Sequence, residues 1–302
     1  MADAPKVGSV QSMTGFGSAD ALIGTNRLSV EVRSVNHRFF TPSIKLPQAL
    51  TRMETDVREL LRKHVTRGHV TFSLRIERDA ADGPRIDVAR LLSYAAQLRA
   101  IPDGAGIDGR IDLASLLRLP DVVTSSVDEE DAIVNLDQTA ILALATEAIR
   151  AFVGMREAEG GRLALYLLER LEIIEAALGR LALRAPERLI EQRDRLTAAV
   201  QELTRGVATD PQRIAQEIAI LADRVDVSEE LNRFASHNTA CRAAIADPGP
   251  EAVGKRLGFI LQEMVREANT TGSKANDAAM QREVILIKEE LERMREQVEN
   301  LE

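Results

Sequence analysis

The chain has 302 residues, 45% hydrophobic and 28% charged, with no Trp and a formal net charge of −8. This is a globular composition with room for two domains and a sizeable core, and no stretch approaches the ~20 apolar residues that span a bilayer. The opening Met1-Ala2-Asp3-Ala4-Pro5-Lys6 lacks the apolar core of a signal peptide, and the single Cys241 has no internal disulfide partner, so a reducing, cytoplasmic setting is expected.

The charge is unevenly spread. Residues 26–78 carry 11 Lys/Arg against 5 Asp/Glu, an excess of six, so the remainder carries −14. A basic N-terminal module on an acidic body suits phosphates at one place and cations at another.

Residues 9–78 read as α+β. The opening Ser12-Met13-Thr14-Gly15-Phe16-Gly17 suggests a strand relieved by glycine, without the spacing of a phosphate loop. Leu28, Val30 and Val32 alternate with polar neighbours, as do Val70, Phe72, Leu74 and Ile76, which predicts two half-buried strands. Between them Leu50, Met53, Val57, Leu60 and Leu61 keep helical spacing. After the first strand, Arg33, His37 and Arg38 stand beside Phe39 and Phe40. Arginines on phosphates and rings on bases would grip RNA; the alternative puts both Phe in the core and the charges in water. Arg67-Gly68-His69 enters the second strand through a tight turn and flanks the same surface.

Residues 79–86, 102–110 and 121–135 read as loops, with short helices around Leu91–Leu98 and Leu113–Leu119. From Asp137 to Arg205 strong helix formers dominate, and Gly160-Gly161 and Pro186 are expected to cut this into two or three long helices. Arg188, Arg193 and Arg195 are interspersed with Glu and read as a solvated face.

Residues 212–277 hold the candidate chemistry. Arg213 to His237 is expected as one amphipathic helix with Ile214, Ile218, Leu221 and Val225 on its apolar stripe. Asp223, Asp226, Glu230, Arg233 and His237 repeat at steps of three and four on another face. Asp247-Pro248-Gly249-Pro250 turns the chain, and a second helix from about Val253 carries Arg256, Glu263 and Glu267 on one side. It is expected to end in a polar turn, 269–277, that contains Lys274. If the two helices form a hairpin, the acidic lines share a cleft suited to Mg²⁺ or Mn²⁺. The bland alternative is a solvated face of i,i+4 ion pairs. A last helix, about Asp277 to Leu301, shows an unbroken seam of Val284, Ile287, Leu291, Met294, Val298 and Leu301, able to pack on the body or on another subunit.

Several of these blocks, spread over essentially the whole chain, resemble the YicC/YloC family of bacterial proteins. They are Ser12–Gly17, Glu31–Phe39, Arg67–Val70, Asp223–Arg233, Gly254–Met264 with Arg266–Thr270 and Ser273-Lys274, and the closing Met294–Glu302. The resemblance implies an endoribonuclease that needs a divalent metal, typically Mn²⁺ rather than Mg²⁺, acts on small RNA and assembles as a hexamer. For that chemistry the acidic lines of the two helices offer Asp226, Glu230, His237 and Glu267 as the expected metal ligands. Glu230, His237, Glu263, Glu267 and Lys274 are the expected catalytic set. Arg33, His37, Arg38, Arg67, His69, Lys255 and Arg256 are the expected RNA contacts. The fold expectation is α+β: an RNA-gripping module over 1–125, a long-helix arm over 136–205 and a helical catalytic region over 206–302. Rival readings are a non-catalytic RNA-binding adaptor, with the acidic line purely structural, and a hydrolase of smaller phosphoesters, for which no small-nucleotide signature is present.

Overall fold

The structure is a computed structural model that describes residues 10–24, 26–77, 85–101, 112–124, 137–203, 205, 210–249 and 253–302. The extension at 1–9 and most of the loops expected at 79–86, 102–110 and 121–135 lie outside these residues. The architecture is α+β. Two compact units divide the chain, a sheet unit of Gly15–Val153 and a helical unit of Met1–Thr14 with Gly154–Glu302. These boundaries differ from the three-part expectation: the middle helices make no unit of their own.

In the sheet unit, β1 (Gly15–Ile23), β2 (Asn26–Val35), β3 (Phe40–Lys45) and β4 (Gly68–Glu77) form a sheet of order β1-β2-β4-β3. β1, β2 and β4 pair antiparallel, and β3 joins β4 in parallel. Alternation along the strands sends Leu28, Val30, Val32, Val70, Phe72 and Leu74 into the core. A 3-10 turn (Gln48–Met53) leads into α1 (Glu54–His64), whose Val57 and Leu61 join that core. A short pair, β5 (Arg85–Ile86) with β6 (Val123–Thr124), flanks α2 (Val88–Arg99) and α3 (Leu113–Leu116). Gly17 has a steric reason: a Cβ there would collide with the backbone of Ala148 and Phe152. β3 goes beyond the expectation, which leaves Phe40 either in an RNA-gripping stretch or in the core and places no strand there.

One helix, α4 (Gln138–Leu203), replaces the two or three expected. Pro186 lies inside it. A proline removes one N–H from the ladder, and the strong helix formers around it carry the helix through. Gly160 marks a close approach, since a Cβ would meet the backbone of Val10. Residues 138–153 belong to the sheet unit, where Ile141, Leu144, Ile149 and Phe152 are core.

The rest of α4 belongs to the helical unit, with α5 (Pro211–Val225), α6 (Ser228–Ala246), α7 (Val253–Lys274) and α8 (Ala278–Val298). The seam of α8 is buried within this chain: Val284, Ile287, Leu291, Met294, Val298 and Leu301 all join the core of the unit. The first described residues close the unit against the last. Met13 N–H donates to Asn300 O at 2.8 Å, and Glu302 N–H donates to Gln11 O at 2.8 Å. The buried Arg156 ties the two ends, donating to Ser12 O at 2.6 Å and pairing with Glu302. Among the described residues no helix is long and apolar enough to cross a membrane.

Candidate active site on the α6–α7 hairpin

The expected single helix from Arg213 to His237 is interrupted. α5 ends at Val225, and Asp226 leaves helical geometry with φ −67° and ψ 131°. Its carboxylate accepts from Ser228 N–H at 2.9 Å and from Ser228 Oγ at 2.5 Å. A short polar side chain that bonds the backbone two residues on competes with helix and favours a new start. α6 therefore begins at Ser228, with Glu229 and Glu230 in its first turn, where the helix dipole favours acids. The Ser228 hydrogen bonds, then the Lys274 charge, hold the Asp226 carboxyl below the usual carboxylate range.

α7 also differs from expectation. Helix continues through Asn269-Thr270-Thr271-Gly272-Ser273 and ends at Lys274, so Lys274 sits on the last turn of a helix rather than in a free loop. Leu257, Leu261, Met264, Ala268 and Thr271 are its buried stripe. Cys241 on α6 meets Met264 at 3.8 Å between sulfurs. Burial pushes its thiol up to about 12, which leaves it an inert packing residue.

With α6 and α7 packed side by side, two carboxylates are drawn out of water. Glu230 is 6% exposed and Glu267 is 5% exposed, whereas the neighbouring Glu229 is exposed. Lys274 Nζ lies 2.7 Å from Glu230 Oε1. Glu230 Oε2 is buried with no hydrogen-bond partner among the described residues, and so is Thr271 Oγ1 one turn before Lys274. Arg233, one turn along α6, pairs with Glu229 and reaches Glu267 at 3.7 Å. A buried carboxylate oxygen without a donor is costly, so the cluster has unused acceptor capacity where a proton, water or cation would be welcome.

The contacts Lys274–Glu230 and Cys241–Met264 set an antiparallel register that brings Glu267 level with the half-buried His237. Glu263 is half-buried a turn farther and is engaged by Arg266 at 3.9 Å. Among the described residues, no three His, Cys, Asp or Glu side chains gather closely enough to hold a metal ion. The four expected ligands thus do not form one ligand set within the chain. Asp226 turns into its own helix start, His237 lies two turns from Glu230, and Lys274 takes one oxygen of Glu230. What the structure does bring together are two pairs along the hairpin, Glu230 with Lys274 and Arg233 with Glu267, with Thr271 buried one turn before Lys274.

The expected RNA contacts divide between the units. Arg33, His37, Arg38, Arg67 and His69 belong to the sheet unit. Arg33 sits opposite Thr71, and Val35 opposite His69, so Arg33 and His69 share the sheet face turned from the core. The Arg33 guanidinium lies 5.0 Å from the Phe16 ring centre, and that of Arg38 lies 5.2 Å from the Phe39 ring centre. Phe39 is 64% exposed, so the expectation that put it in the core does not hold, while Phe40 packs at the core's edge. His37 Nδ1 stands 3.0 Å from the Phe39 carbonyl and so shapes this loop. Arg67 is half-buried at the entrance to β4. Lys255 and Arg256 are exposed on the first turns of α7, about 27 Å of helix rise from Lys274, and take no part in the Glu230 cluster.

The largest miss is Arg188. Rather than lying on a solvated face, it is buried at 5% exposure. The signal was present: Ile174, Leu178, Leu181, Ala185 and Arg188 step by four and three, and Arg188 continues the buried stripe of α4.

Family models match nearly the whole chain. "Endoribonuclease YicC-like, N-terminal region" covers residues 10–165, and "Endoribonuclease YicC-like, C-terminal" covers residues 181–302. The chain belongs to the endoribonuclease YicC-like family. It is similar to a "Probable endoribonuclease YicC" of Haemophilus influenzae, 34% identical over 295 residues that span 97% of this chain and 100% of that protein. A "Probable endoribonuclease YicC" of Clostridioides difficile is 29% identical over 294 residues, 96% of this chain and 99% of that protein. The boundary between the two family regions falls within α4, and the C-terminal region contains the whole α6–α7 cluster.

Proposed function

We propose that this YicC-like chain is an endoribonuclease that cuts RNA phosphodiester bonds at the Glu230–Lys274 cluster. The observation that carries the reading is the buried Glu230, with one oxygen on Lys274 and the other without a donor. Cutting a phosphodiester needs a base for the nucleophile and positive charge at the phosphate. Glu230 Oε2 is a proton acceptor with nothing else to bind, and Lys274 supplies charge beside it. Glu267, held by Arg233, adds a second carboxylate, and Thr271 Oγ1 adds a hydroxyl. His237 remains in the proposal as a proton carrier from the level of Glu267, and Glu263 as an outlying acid. Arg33, His37, Arg38 and His69, on or beside the exposed face of the sheet unit, would hold the RNA chain with Phe39 as a stacking ring. Small RNAs are the substrate class to test first.

A divalent cation, Mn²⁺ ahead of Mg²⁺, belongs to the same proposal. Cations of this kind keep several waters and take one or two protein carboxylates together with substrate phosphate. The buried Glu267, level with the half-buried His237, fits that requirement, which leaves the donor-free Glu230 oxygen as the proton acceptor. When bound, the cation supplies charge neutralisation and an acidified water. The chain's own residues orient the RNA, accept the proton at Glu230 Oε2 and exclude water around the hairpin.

We also propose a homo-oligomer, the hexamer implied by the family resemblance. The α8 seam is already used inside the chain, so subunit contacts would fall elsewhere. Exposed Leu183, Ile190 and Leu203 on α4 are the apolar positions to probe. Light scattering that gives a stable monomer at micromolar concentration would remove this part of the proposal.

The test of the reaction is cleavage of a labelled RNA by purified protein, followed across a gel-filtration peak, with and without EDTA. A matched RNA carries a 2′-deoxy nucleotide at the cut site. The proposal expects activity that tracks the peak, is lost in EDTA, returns with Mn²⁺ and survives the 2′-deoxy change. Full activity in EDTA that is lost on the 2′-deoxy RNA would point instead to attack by the RNA's own 2′-hydroxyl. The adaptor reading treats the Lys274–Glu230 pair as a structural tie; it predicts RNA binding without cleavage.

A further inference from the structure

An open cavity of about 670 Å³ lies in the helical unit between α4, the C-terminal turns of α5 and the start of α6. Pro186, Arg188, Asp223, Asp226, Ser228 and Asn232 are on its lining. Arg188 is its unusual member. The residue is 5% exposed, yet only Nη1 has a partner, the Val225 carbonyl at 3.4 Å. Nε and Nη2 are buried without a hydrogen-bond partner among the described residues. Arg184, one turn earlier, shows the contrast. It is satisfied by Glu191 at 2.7 Å and by Asp277 at 2.9 Å. Arg188 has no carboxylate within ion-pair distance among the described residues, and Asp277 acts on it only through space. Desolvation is the largest influence on its charge.

A buried guanidinium with two unused donors is costly unless an anion meets it. Its planar fork of N–H groups matches two oxygens of a phosphate. The same cavity touches the start of α6, a 19-residue helix whose first N–H groups and positive dipole end favour anions. Two acids on the lining oppose this. Asp226 stays charged but is held by the Ser228 N–H and hydroxyl, so with the exposed Asp223 and Glu229 it is a repulsion that the Arg188 fork must outweigh. Ser228 and Leu231, both on the lining, flank Glu230 along α6, so the cavity adjoins the cluster described above.

We propose that this cavity is a phosphate subsite, in which Arg188 and the start of α6 seat one phosphodiester of the RNA beside Glu230 and Lys274. The RNA part rests on the endoribonuclease reading; the capture of a phosphate anion does not.

Hydrogen exchange of the full-length chain tests it with two probes: inorganic phosphate, and a 2′-O-methyl oligoribonucleotide without terminal phosphates. Both are expected to slow exchange across residues 226–232. In Arg188→Gln that protection is lost, oligonucleotide affinity falls about tenfold, and the log–log salt slope drops by about 0.7. Arg193→Gln, on an exposed part of α4, leaves all three unchanged. If Arg188→Gln does not fold, Arg188→Lys keeps the charge without the fork, and the wild-type exchange data decide alone. Protection by phosphate but not by the oligonucleotide would leave an anion site and remove RNA as its ligand. RNA cleavage with no protection by either probe would overturn the subsite and leave the enzyme reading intact. Protection without any cleavage would do the reverse.

Discussion

The two units handle charge in opposite ways. The sheet unit keeps its charges in water: among its described residues the one buried polar side chain is Ser34. Arg33 and Arg38 lie over exposed rings rather than inside the core. The helical unit buries Arg156, Arg188, Glu230, Glu267 and Glu290 along with Asn238 and Thr271. Buried charges cost free energy and are tolerated when paired. Arg156 and Glu290 are paired, to Glu302 and to Arg170 and Arg293, and read as ties that hold the fold. Glu230 keeps an oxygen without a donor where both Glu290 oxygens are engaged, and Arg188 has no carboxylate within ion-pair distance among the described residues where Arg156 has Glu302. That difference separates structural ion pairs from candidate chemistry, since perturbing environments cluster at functional sites.

A charge placed in the helical core should do the most damage. Leu291→Asp places an unpaired carboxylate among buried Ile287, Met294 and Val298 and is expected to cost several kcal/mol, on the order of 4. Urea unfolding followed by circular dichroism checks it; a loss under 1 kcal/mol would mean that the seam is not packed in solution. Next is the sheet surface. Arg33→Ala with Arg38→Ala removes exposed charges and should leave stability within about 0.5 kcal/mol of the parent. The expected effect is on RNA affinity, with the salt slope reduced by roughly 0.7 per lost phosphate contact. An unchanged slope and affinity would move the RNA path off this face.

The smallest effect concerns Asp277, which caps α8 and pairs with Arg184. Arg184 first, then the Met280 N–H, hold its carboxyl below the usual range. A depressed folded value gives stability that is fully present above the unfolded value of about 3.9. That contribution fades as pH falls through the lower folded value. Asp277→Asn keeps a capping oxygen and removes the charge, so Tm should drop by about 2 °C at pH 7. The gap between the two proteins should close below about pH 4. A gap that persists at pH 2 would assign the effect to packing.

The sequence made some of this legible and hid the rest, for physical reasons. Strands with one buried face announce themselves by alternation, as Val70, Phe72 and Leu74 do. The α8 seam did the same at helical spacing. Periodicity failed where a local hydrogen bond overrode it: Asp226 binding Ser228 ends one helix and starts another inside an uninterrupted pattern. It failed in the other direction at Gly160, where the glycine serves the close approach of Val10, and at Pro186, where strong flanking helix formers carry α4 through. Residue type misled at Arg188, because a charged residue on a buried stripe was assigned to solvent. Glu230, Glu267 and Lys274 were legible as candidates; their burial and the pairing of Lys274 with Glu230 were not, because both depend on the hairpin's register.

Glu230 is proposed as a working acid–base group rather than half of a structural ion pair. Glu230→Gln keeps the side chain's size and leaves an oxygen for Lys274 while removing the charge. The measurement is single-turnover cleavage of a labelled RNA by Glu230→Gln and by the parent, with RNA affinity and unfolding midpoint taken on the same preparations. The account predicts a rate lowered by at least about a hundredfold, with affinity and midpoint nearly unchanged. Cleavage at the parental rate by the folded variant would contradict it and leave the Lys274–Glu230 pair as a tie between two helices.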